Sequence, residues 1–117
     1  MPLIQLDTSC EIAGAEKKEA LAQQLSRIAA ECIGKPERYV MALVQDRATM
    51  TMAGASGPAA LVTVKSIGGL TRAVNQTLSE KIGPLLQQEL DIAPDRVYLN
   101  FEELPGTHWG WNGSTFG

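Results

Sequence analysis

The sequence predicts an α/β (α+β) domain built from two copies of one strand–helix–strand unit, and three observations carry that prediction. The segment Lys35-Pro-Glu-Arg-Tyr-Val-Met-Ala-Leu43 is echoed by Ala93-Pro-Asp-Arg-Val-Tyr-Leu-Asn-Phe101, each placing Pro, an acid and Arg around the start of an apolar strand. Each copy follows a stretch whose apolar residues recur at helical spacing. Each of those stretches is in turn preceded by a short apolar run, Pro2 to Leu6 and Ala59 to Ser66. The order βαβ–βαβ implies a four-stranded sheet with two helices on one face. The 117 residues read as a single domain, with pseudo-repeats covering about 1–57 and 58–117.

The elements follow in order. The first helix is expected from Ala15 to Cys32, where Leu21, Leu25, Ile28 and Cys32 are three or four residues apart. Gly34 suits the left-handed cap and Pro36 stops the helix. A strand over Val40–Val44 follows, and the Gly-rich link of residues 47–58 has room for a short strand around Thr49 to Met52. The second helix is expected from Thr71 to Leu90, with Val74, Leu78, Ile82, Leu85 and Leu86 as its apolar stripe and a kink at Gly83-Pro84. Each crossover is long enough to join parallel strands in the right-handed sense. The tail Trp109-Gly-Trp-Asn-Gly-Ser-Thr-Phe116 centres an Asn-Gly pair between β-favouring residues, which predicts a tight hairpin.

Two helices cover only one face of such a sheet. Val40–Val44 and Ala60–Val64 are nevertheless apolar on both alternations, as fully buried strands are. No third helix is available, so a second copy of the chain is the expected cover: an obligate homo-oligomer. Ten basic against thirteen acidic residues, net −3, give no electrostatic case for nucleic acid. No run approaches the roughly eighteen apolar residues of a membrane span. The opening residues lack the basic start of a secretory signal. Cys10 and Cys32 are too few and too scattered for a disulfide framework or metal site, which together predicts a cytoplasmic chain with free thiols.

Pro2 carries the main chemical expectation. Its small ring favours removal of Met1, which would leave a secondary amine fixed to the first strand. An α-amino group titrates near about 8, and an apolar pocket lowers that value toward neutrality, where a general base is most effective. Lys35, just past a helix end, complements the helix dipole or binds an anion. Tyr98 and Asn100 share one face of a strand, opposite Val97, Leu99 and Phe101, and need polar partners there. Gly68-Gly69 reads as a turn before a helix, and His108 as a solvated side chain. No metal motif, P-loop, nucleophile elbow or dinucleotide fingerprint is present, so no cofactor is expected.

Five motifs in order resemble the macrophage migration inhibitory factor branch of the tautomerase superfamily: Met1-Pro-Leu-Ile4, Gly34-Lys-Pro36, Lys65-Ser-Ile-Gly68, Pro94-Asp-Arg-Val-Tyr-Leu-Asn100 and Gly110-Trp-Asn-Gly-Ser-Thr-Phe116. The resemblance spans nearly the whole chain. It implies a homotrimer with active sites between subunits and an isomerase activity, the keto–enol tautomerisation of phenylpyruvate-like α-keto acids. By position it implies that Pro2 is the base and that Lys35 and the Ile67 N–H hold the substrate. Tyr98 and Asn100 would come from the adjacent subunit, and Leu3, Tyr39, Trp109, Trp111 and Phe116 would form an apolar pocket. Animal members carry a Cys-x-x-Cys motif where this chain has Ala59-Ala-Leu-Val62, so thiol–disulfide activity is not expected. Trp109 is bulkier than the small aliphatic residue of animal members. The competing expectation is a signalling or interaction trimer with a weak or vestigial pocket.

Overall fold

The computed structural model describes residues 1–117. Strand β1 (Pro2–Thr8) leads into helix α1 (Ala15–Ile33) and strand β2 (Met41–Gln45), and β3 (Ala60–Ser66) leads into α2 (Arg72–Leu90) and β4 (Val97–Glu103). A two-residue-strand hairpin, β5 (Gly110–Trp111) and β6 (Ser114–Thr115), closes the chain around Asn112-Gly113. The sheet order is β2-β1-β3-β4. Each unit pairs its own two strands in parallel, while β1 and β3 run antiparallel at the centre. The two units are therefore related by an approximate two-fold through the middle of the sheet.

Alternation sorts the strands into two faces. Ile4, Leu6, Val62 and Val64 are fully buried against Leu21, Leu25 and Ala29 of α1 and Leu78, Ile82 and Leu86 of α2. The opposite face is an uncovered grid read off the registers: Met41–Leu3–Lys65–Glu102, then Leu43–Gln5–Thr63–Asn100, then Gln45–Asp7–Leu61–Tyr98. Met41 and Tyr98 are 67% and 65% exposed there.

Two expectations change. The buried stripe of α1 runs through Leu21, Leu25, Ala29 and Ile33, each four residues from the last, with Ile28 and Cys32 on its flank only partly covered. Thr49–Met52 forms no strand; only Met52 and Ala55 exchange backbone bonds across a tight turn at Ala53 and Gly54 (φ 54° and 74°). Helix α2 runs through Pro84 as one span, as expected, with Ile82, Gly83 and Leu86 buried and Pro84 facing solvent. No helix is long and apolar enough to cross a membrane.

Candidate active site

The site is assembled at the end of the sheet where β1 begins. Pro2 is buried and lies directly opposite Ser66, the last residue of β3. Ser66 turns its carbonyl toward β4, where it accepts from the Leu104 N–H at 2.9 Å. Alternation of backbone groups then turns the next amide, that of Ile67, toward β1 and Pro2, and that N–H has no hydrogen-bond partner in the chain.

Lys35 reaches the same place through the end of α1. Gly34 takes the left-handed conformation (φ 77°), and the N–H groups of Gly34 and Lys35 both donate to Ala30 O, at 3.0 and 3.1 Å. Gly68 and Gly69 follow Ile67 with φ of 74° and 83°. A Cβ on Gly69 would lie 2.9 Å from Ile33 Cγ2 and 3.7 Å from Lys35 Cε, so this glycine lets the turn close over the helix end and against the lysine stem. Two of the N–H groups at this helix start are already used within the chain. The Leu70 N–H donates to Glu103 Oε1 at 2.9 Å, and Thr71 Oγ1 accepts from the Val74 N–H at 3.2 Å. Lys35 itself forms no ion pair with the chain's carboxylates.

The terminal amine feels both the burial and the lysine. The Met1 ammonium is held below its usual value, first by desolvation and second by repulsion from Lys35. With Met1 in place the Pro2 nitrogen is an amide without a basic lone pair.

In front of Pro2 lies a cleft of about 730 Å³, lined by Met1, Pro2, Leu3, Tyr39, Val40, Met41 and the hairpin residues Trp109, Gly110 and Trp111, with Arg38 as its one charged side chain. Leu3, Tyr39, Trp109 and Trp111 thus meet as expected. Phe116 does not line the cleft. It stacks on Trp111 at 6.1 Å between centroids, with its N–H shared between Gly106 O and Trp109 O, and so backs the wall. Arg38, Val40 and Met41 were not anticipated as lining residues. The sequence signal for Arg38 was the Pro-acid-Arg echo, which pointed to a repeat and not to a site.

Tyr98 and Asn100 lie elsewhere. Tyr98 pairs with Leu61 and Asn100 with Thr63, whereas Pro2 pairs with Ser66. At about 3.3 Å per residue along a strand and nearly 5 Å between strands, Tyr98 is more than about 15 Å from its own Pro2. Within one chain these two side chains cannot serve that cleft.

Comparison with known proteins agrees with this architecture. The family model for macrophage migration inhibitory factor (MIF) matches residues 1–117. The chain is 36% identical over 116 residues to the macrophage migration inhibitory factor of Meriones unguiculatus, covering 99% of each. It is 35% identical over 117 residues to the homolog from Brugia malayi, covering all of both. The crystal structure of the Prochlorococcus marinus homologue superposes with a TM-score of 0.90 at 44% identity, over 98% of this chain and 99% of that one. With its motifs, its fold and its full-length match in accord, the chain belongs to the macrophage migration inhibitory factor family.

Proposed function

We propose that the protein is a keto–enol tautomerase of phenylpyruvate-like α-keto acids in which the amine of Pro2, freed by removal of Met1, is the general base. The observation that carries this reading is the convergence on one strand terminus of buried Pro2, an unpartnered Ile67 N–H and an aromatic cleft, at a place where burial first and Lys35 second already lower the Met1 ammonium that precedes Pro2. In the forward step the amine takes a proton from C3 of the keto acid. The C–H pair becomes the C2=C3 bond, the carbonyl π pair moves to oxygen, and a proton returned to that oxygen completes an isomerisation with no other reactant. Negative charge builds on the oxygen during transfer, and fixed donors in a dry site stabilise it. Lys35 holds the substrate carboxylate, with the Ile67 N–H beside it. Trp109, Trp111, Leu3 and Tyr39 take the ring, with Phe116 bracing the wall.

The same reading makes the working unit a homotrimer with sites between subunits. Met41, Leu43, Tyr98, Trp111 and Phe116 are all exposed on one chain, and a neighbouring copy supplying Tyr98 and Asn100 would cover the face and complete the cleft. Cys10 and Cys32 are free thiols, which suits a reducing, cytoplasmic setting. The test is phenylpyruvate turnover by protein whose intact mass begins at Pro2. Pro2→Gly is expected to lower kcat by roughly 10²–10⁴-fold, the usual worth of a positioned base, with the oligomer retained. Undiminished turnover in that variant removes Pro2 as the base. No turnover in the processed wild type moves the assignment to an interaction trimer.

A further inference from the structure

We infer that Arg38 makes the cleft selective for aromatic α-keto acids that carry a second anionic group on the ring. The inference rests on the tautomerase reading of the same cleft and extends it to the class of substrate.

Arg38 is the only charged residue lining the cleft, in a chain whose overall charge is −3. Its guanidinium carbon lies 4.7 Å from the centroid of the Tyr39 ring, and its one hydrogen bond is a long contact of 3.5 Å to the Tyr39 hydroxyl. No carboxylate pairs with it. A guanidinium laid on an aromatic face is held in orientation with its N–H fork still free, the arrangement that receives a carboxylate or sulfonate through two bonds. Its counterpart in the repeat, Arg96, is spent: it donates to Pro58 O at 2.7 Å, Ala55 O at 3.1 Å and Met52 O at 3.4 Å. The two cations near the cleft also divide the work. Lys35, which is not among the cleft's lining residues, is already assigned under the tautomerase reading to the carboxylate beside the reacting carbon. Arg38, which does line the cleft with Tyr39, Trp109 and Trp111, is left for an anion carried on the ring.

The experiment compares kcat/KM for phenylpyruvate and 4-carboxyphenylpyruvate in the processed trimer. The carboxylated substrate is expected to be favoured about tenfold at low salt, a modest value for a charge-assisted contact at an open cleft. The preference should shrink at 0.5 M salt, disappear in Arg38→Gln and return in part in Arg38→Lys. A ratio near one in the wild type, or a preference that survives Arg38→Gln, overturns the inference. Binding without turnover separates this from the fate of the tautomerase reading. Trp109 and Trp111 are the chain's only tryptophans and both line the cleft, so their fluorescence reports occupancy. 4-Carboxycinnamate should bind more tightly than cinnamate in the wild type and equally in Arg38→Gln. Equal binding in the wild type overturns the inference even if phenylpyruvate is turned over.

Discussion

The two ends of the sheet are built from the same unit and finished in opposite ways. Where β3 begins, the buried and linking polar groups are taken: Thr8 Oγ1 donates to Ala59 O at 2.8 Å and accepts from the Cys10 N–H at 3.2 Å. Ser9 bonds both to Gly57 O and to the Ala59 N–H at 3.0 Å, and Arg96 gathers three carbonyls of the Gly-rich link. Where β1 begins, the equivalent groups are left over. Ser66 ends β3 as Thr8 ends β1, and is as fully buried, yet its Oγ has no partner. Arg38 holds no carbonyl, the Ile67 N–H is free, and Lys35 stands where the second unit has Ala93. A hollow of about 460 Å³ also exists at the β3 end, but alanines, methionines and threonines surround its Tyr98 and no charged residue lines it. The difference teaches that in this duplicated fold the candidate site is marked by what the scaffold declines to use.

That contrast can be broken experimentally, starting with the largest effect. Lys35→Ala is expected to lower kcat/KM for phenylpyruvate by roughly 10- to 100-fold, the worth of a charged hydrogen bond of about 1.5–3 kcal/mol. Its pH profile carries a sign. The base works when neutral, above its pKa; the Met1 ammonium is lowered first by burial and second by Lys35, and the same sign is expected for the Pro2 amine once Met1 is removed. Removing the lysine leaves burial alone, the pKa rises, and the acid limb of kcat/KM moves to higher pH; a limb that stays in place or moves down removes Lys35 from the amine's surroundings.

Arg96→Ala should lower stability by about 1–3 kcal/mol in urea unfolding, because three carbonyls lose a charged donor at a half-exposed site. Arg38→Ala should stay within about 0.5 kcal/mol. Equal losses in both would erase the distinction between the two ends. Thr8→Val is expected to cost about 1 kcal/mol, since the Cys10 N–H and the Ala59 carbonyl each lose a partner. The smallest effect is the most pointed. Ser66→Ala removes a buried hydroxyl without a bond and should be neutral or slightly stabilising, by up to about 1 kcal/mol. A loss as large as that of Thr8→Val would mean that Ser66 is held by something in the assembled protein.

Much of the fold was legible because its signals are local. Gly34 and Pro36 bounded α1, the apolar stripe from Val74 to Leu86 marked α2, and alternation put Tyr98 and Asn100 on the open face opposite Leu99. The strand order was not legible, because periodicity says which face a strand buries and nothing of which strand lies beside it. That β1 pairs with both β2 and β3 is a long-range choice made by packing. Thr49–Met52 has strand-favouring residues but no strand, since Arg96 binds the carbonyls of Met52 and Ala55 and ties that segment into a loop. In the site, Pro2, Leu3, Tyr39, Trp109 and Trp111 converge on the cleft, and Lys35 is near enough to lower the Met1 ammonium by repulsion. The lining role of Arg38 was hidden, because a repeat in sequence looks the same whether its arginine is used or free. Gly69 was read as a plain turn, and only the 2.9 Å approach to Ile33 gives it a task.

The position of β1 has a consequence for how the chain is made. Pro2–Thr8 is a central strand whose partners are Met41–Gln45 on one side and Ala60–Ser66 on the other. During synthesis at roughly 5–20 residues per second, the first strand translated waits several seconds for the second of its neighbours to emerge. It cannot be locked in place until more than half of the protein exists. The nascent segment that will hold the amine is therefore the earliest to be born but is secured only when the second unit has begun, and mutations that slow the completion of β3 should show first as loss of soluble yield and not as altered catalysis.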